Sequence, residues 1–76
     1  MTKEMQLVEY LTQDVIAYIV EEEKNDMASA MHLFYLSETY EKLNDKETGL
    51  YLESSAYVYD LFKNERRNGK IIQEEI

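Results

Sequence analysis

A chain of 76 residues with no cysteine, no proline and one histidine holds a single domain, residues 1–76, stabilised by packing or self-association without a disulfide or a structural zinc. Sixteen carboxylates against eight Lys and Arg give a formal charge of −8, which repels a phosphate backbone and disfavours nucleic acid as a direct partner. Glu4 stands early, no apolar core follows a basic start, and no window approaches the ~20 apolar residues of a membrane span, so no secretory signal and no membrane are expected, and the expected location is the cytoplasm.

From Lys3 to about Glu23, Leu7, Val8, Leu11, Val15, Tyr18 and Ile19 recur at three- and four-residue intervals, which stacks them on one side of a first helix. Thr2 is its expected N-cap, and Glu4 suits the positive end of the dipole. Glu21, Glu22 and Glu23 oppose the negative end, so the helix should stop there and Lys24-Asn25-Asp26 should turn the chain. Asn25 or Asp26 then caps a second helix, from Met27 to about Leu43. Met27, Met31, Phe34 and Tyr35 fall on one side of it and Leu33, Leu36, Tyr40 and Leu43 on the other. A helix apolar on two faces is either the middle of a bundle or shows one face to a second chain.

Asn44-Asp45-Lys46-Glu47-Thr48-Gly49 reads as a connection, with Gly49 free to take positive φ. Leu50-Tyr51-Leu52 is expected as an extended or single-turn segment pinned to the helices by Leu50 and Leu52. Ser54 or Ser55 caps the third helix, whose stripe is Tyr57, Val58, Leu61 and Phe62, with Arg66 and Arg67 near its negative end and Asn68-Gly69 as its stop. The tail from Lys70 to Ile76 carries three isoleucines able to dock or to join a partner. The fold class is therefore all-α: a three-helix bundle with a packed loop between helices two and three and a short C-terminal tail.

Reactive chemistry is nearly absent. His32 is the one side chain that ordinarily titrates near neutrality, and its neighbours one turn away are Ala28, Ser29, Tyr35 and Leu36, which makes it a boundary histidine beside a ring rather than a general base. With no second histidine and no thiol, no zinc site is expected. A calcium loop begun at Asn44 sets glycine correctly at Gly49 but puts Lys46 and Ser55 where oxygen donors belong. Two glycines make no phosphate loop, and no Ser nucleophile has a base beside it. No catalytic, cofactor or metal residues are assigned.

Tyrosines are the remaining signal. Tyr35, Tyr40, Tyr51, Tyr57 and Tyr59 all lie in the second half, and each brings apolar area with a hydroxyl that needs water or a partner at its rim. Tyr57 and Tyr59 lie two apart on a helix, so both cannot enter one core.

The stretch Ser37-Glu38-Thr39-Tyr40-Glu41-Lys42-Leu43, continuing through Asp45, Glu47-Thr48-Gly49-Leu50-Tyr51 and Ser54 to Tyr57-Val58-Tyr59, resembles a family of small bacterial helical proteins grouped as a domain of unknown function. The likeness covers the second half of the chain and implies a short helical protein, sometimes encoded near toxin- and antitoxin-like genes. It implies no catalytic residues.

These readings converge on a non-catalytic protein-interaction module that self-associates, with Met31, Phe34, Tyr35, Tyr40, Tyr57 and Tyr59 as its contact candidates. One version is antitoxin-like, an acidic surface meeting a basic protein partner. The alternative is a small-molecule binder whose pocket is lined by His32, Tyr35, Tyr51 and Tyr57. DNA binding through Lys63, Arg66 and Arg67 is opposed by the overall charge.

Overall fold

Thr2 takes an extended backbone, and its hydroxyl oxygen accepts from the Met5 amide at 3.1 Å, satisfying a free donor at the start of helix α1, Lys3–Glu23. That helix ends at Lys24, whose φ of 59° is left-handed, and Asp26 accepts from the Ser29 amide to start α2, Met27–Tyr35. Hydrogen bonds from Ser29 hold the Asp26 carboxyl below its ordinary range. A short helix α3, Glu38–Leu43, follows, then two 3₁₀ turns, Lys46–Thr48 and Leu50–Leu52, and finally α4, Ser55–Asn68. The computed structural model describes residues 2–68, so the isoleucine-bearing tail, Lys70 and the Gly69 stop lie outside the described residues.

All regular structure among the described residues is helical, as the apolar spacing requires, but it comprises four α-helices rather than three. The difference lies at Leu36-Ser37. The Ser37 amide bonds back to the Phe34 carbonyl in a tight turn, its hydroxyl donates to the same carbonyl at 2.6 Å, and its oxygen accepts from the Tyr40 amide at 3.1 Å. One serine thus closes α2 and caps α3, a competition between side chain and helix backbone that serine is suited to win. Of the two apolar faces expected of a single second helix, the first lies on α2, whereas the second is divided, with Leu33 on α2, Leu36 at the break and Tyr40 and Leu43 on α3.

A second contact holds that break from a distance. The Glu65 carboxylate on α4 accepts from the Glu38 amide at 2.8 Å, the Thr39 amide at 3.0 Å and the Thr39 hydroxyl at 2.8 Å. Free amides at a helix start attract an anion, and here a side chain 26 residues away along the chain from Thr39 supplies it.

The core gathers Leu11, Val15, Ile16 and Ile19 of α1, Ala30 and Phe34 of α2, Leu43 of α3, Leu50 of the second 3₁₀ turn, and Val58, Tyr59, Leu61 and Phe62 of α4. Helix α1 is the central element, packed against α2, α4 and the second 3₁₀ turn, while α3 spans α2 and α4. Within the connection, the Thr48 hydroxyl lies 2.7 Å from the Lys42 carbonyl and accepts from the Leu50 amide at 3.1 Å, and Gly49 takes φ of 68°. The loop is packed as expected, through buried Leu50 with half-buried Tyr51 beside it and not through Leu52. Leu52 is 69% exposed and pins nothing, which corrects the expectation for it.

Loss of the Glu65 carboxylate should strand two amides and the fully buried Thr39 hydroxyl. Glu65→Ala is expected to cost about 2 kcal/mol in urea unfolding, with Glu65→Gln intermediate because one acceptor survives. An unchanged midpoint for both would remove this contact from any structural role.

Candidate interaction surface

Six aromatic rings run in unbroken succession through the molecule: Tyr18 to Tyr59 at 5.2 Å, Tyr59 to Phe62 at 6.5 Å, Phe62 to Phe34 at 5.5 Å, Phe34 to Tyr40 at 5.4 Å and Tyr40 to Tyr35 at 5.0 Å. Several meet edge to face, the arrangement that the ring quadrupole favours. This ladder absorbs many of the rings that appear surplus in the sequence.

It also divides the six contact candidates. Phe34, at 0% exposure, and Tyr59, at 4%, are core residues and give no partner a surface, which corrects the expectation for both. Phe34 meets Phe62 of α4 edge to face, and the packing of α4 against α1 lays Tyr59 on Tyr18. Met31, Tyr35 and Tyr57 are exposed, and Tyr40 is half-buried. Tyr57 and Tyr59 do part company, one outward and one inward, as their spacing demands.

Tyr59 is held by more than burial. Its hydroxyl donates to Glu22 at 3.5 Å and the Lys63 ammonium lies 4.7 Å above its ring. Arg66 pairs with Glu23 and lies 5.7 Å from the Phe62 ring. The acidic end of α1, unfavourable for its own dipole, is thus met by groups from α4. Lys63 and Arg66 thus take part in contacts within the subunit.

The surface apolar groups that the sequence leaves undetected lie mostly along the first half of α1. Tyr10 is 65% exposed, and Met5 and Leu7 are also exposed although Leu7 falls on the expected buried stripe. That stripe drifts around the helix, so its first turns pass beyond the reach of α4, and packing starts in earnest only at Leu11. Two open grooves flank this half of α1, with Tyr51 as their shared wall. One, of about 420 Å³, is bordered by Leu7, Tyr10, Leu11, Leu52 and Ser54. The other, of about 410 Å³, lies between α1 and the α3 region, lined by Glu4, Glu9 and Gln13 on one side and Tyr35, Tyr40 and Lys46 on the other.

The pocket expected around the histidine is not assembled as predicted. Tyr35 and Tyr51 do meet on the second groove, but His32 and Tyr57 line neither groove, and His32 is exposed on α2. No group of three or more His, Cys, Asp or Glu able to hold a metal is found among the described residues. Nor is any helix among them long and apolar enough to cross a membrane. Comparison of the chain with family models, curated proteins and solved structures finds no match, so the surface is understood from its own chemistry.

Burial, then the charges of Glu22 and Glu23, pushes the Tyr59 phenol from its ordinary 10 up to about 12. A raised acid pKa means that the folded state resists an ionisation which the unfolded chain accepts. This contribution to stability is complete below pH 10 and is lost as pH rises to about 12. Absorbance titration should show one phenol ionising last, and Tyr59→Phe should remove that step and move alkaline unfolding to higher pH; an unmoved alkaline midpoint would contradict the placement.

Proposed function

We propose that this chain is a non-catalytic cytoplasmic protein-interaction module that self-associates through the apolar groove edged by Leu7, Tyr10 and Leu52. The observation that carries this reading is the exposure of three large apolar side chains around one concavity, where the described residues bury a core of only a dozen. Large apolar groups grouped at a surface raise its tendency to be covered, and aromatic or aliphatic anchors contribute most when a partner excludes water from them. Leu36, 74% exposed, and Met27 and Met31 extend apolar surface along α2 and across the break.

A heterotypic, antitoxin-like form of the same module is the version in which the acidic exterior meets a basic protein. The −8 charge supports it, since a negative exterior favours a cationic neighbour. His32 is exposed and lines neither groove, which gives the small-molecule reading no support.

Light scattering joined to size exclusion tests self-association directly. The wild-type mass should be a multiple of 9.1 kDa, and Tyr10→Ser with Leu52→Ser should weaken assembly at least about tenfold while leaving the helical signal intact. A wild-type chain that stays at 9.1 kDa up to high concentration would overturn the homotypic form. Phe34→Ala separates core from contact: removing the ring should cost about 3 to 5 kcal/mol and unfold a domain this small, whereas Tyr57→Ala should change stability by less than about 0.5 kcal/mol in thermal melts.

A further inference from the structure

The groove between α1 and α3 differs in chemistry from its neighbour. Tyr35 and Tyr40 form a corner, their rings 5.0 Å apart and inclined at 62°, and Tyr51 stands on the same groove. Tyr35 is exposed and the other two are half-buried, so ring surface is open to an occupant. Aromatic faces are negative and attract cations. On the α1 side stand the carboxylates of Glu4 and Glu9, and neither has an ion-pair partner among the described residues. Carboxylates that lie between helices elsewhere are engaged: Asp14 accepts from Ser55 at 2.6 Å, Glu23 pairs with Arg66, and Glu65 holds the start of α3. Lys46 also borders the groove, so two negative groups face one positive.

We propose that this groove receives a basic segment of a partner protein, seating an arginine or lysine side chain against Tyr35, Tyr40 and Tyr51 with its charge toward Glu4 and Glu9. The stem of such a side chain covers ring surface while its head reaches the carboxylates. A second copy of this chain is a poor occupant, because it brings a further −8 to an already acidic surface. The proposal rests on the interaction-module reading but uses a surface other than the Leu7, Tyr10 and Leu52 groove, so the measured mass and peptide binding fail independently.

The test is a ¹⁵N NMR titration of the full chain with an oligoarginine amide. Shifts should concentrate at Thr12, Gln13, Tyr40 and Asn44 and should weaken as salt is added. Two double variants then share one formal charge, −8 plus 2 giving −6: Glu4→Gln with Glu9→Gln, and Glu21→Gln with Glu41→Gln, whose side chains are exposed and away from the groove. The first pair should raise Kd about fivefold or more over the second, and Tyr35→Leu, which keeps the apolar bulk of an exposed site, should raise it about two- to fivefold.

Equal loss in the two double variants, or shifts spread over Glu21 to Glu23, would overturn the site and leave only diffuse attraction. The same shift map from tetramethylammonium at similar affinity would overturn the peptide assignment in favour of a small organic cation. Groove signals that move on dilution of the free protein would assign the surface to a second copy. Signals from residues 69–76 that move when Glu4 and Glu9 are substituted, without peptide, would assign it to the chain's own end.

Discussion

The contact on which the rest depends is that of Phe34 with Phe62 and Tyr40, the middle of the ring ladder. It joins α2, α3 and α4, and the ladder continues through Tyr59 to Tyr18 on α1, so every helix contributes a ring. In a chain with no cysteine and a core of a dozen among the described residues, rings are the largest apolar groups that can be buried for the least backbone ordered. The aromatic richness is therefore mostly structural, and only what the ladder leaves outside it is available for recognition.

The ladder closes only because the chain bends at Ser37. A continuous helix from Met27 to Leu43 would have sent Tyr40 and Leu43 away from Phe34. The break lets both approach the core, with Ser37 satisfying the local ends and Glu65 supplying an anion to the freed amides. The same bend leaves Leu36 at the surface and sets Tyr35 beside Tyr40 at the mouth of a groove. Core and candidate surface are consequences of one local event.

Functionally, the two grooves beside the first half of α1 divide the chemistry of the exterior. One is edged by aliphatic and aromatic groups, the other by rings facing unpaired carboxylates. In the proposed interaction module, apolar area would supply affinity and charge the choice of partner. On α4, Arg66 is paired with Glu23 and Lys63 with Asp60 within the subunit.

Local physics made much of this legible in advance. Helix α1 and its Thr2 cap, the turn at Lys24, the Asp26 cap, positive φ at Gly49 and the divergence of Tyr57 from Tyr59 follow from side-chain spacing and from the hydrogen bonds that short polar groups make with their own neighbours. The Ser37 break had a local sign too, a serine followed by Glu38 and Glu41 in the manner of a helix start, but an apolar pattern running through it masked that sign. Tertiary structure alone decided that Glu65 would reach back to Thr39, that Phe34 and Tyr59 would be core rather than contact, and that Leu7, Tyr10 and Leu52 would border a groove. Periodicity assigns a residue to a side of its own helix, whereas burial depends on how far the neighbouring helix extends along that side.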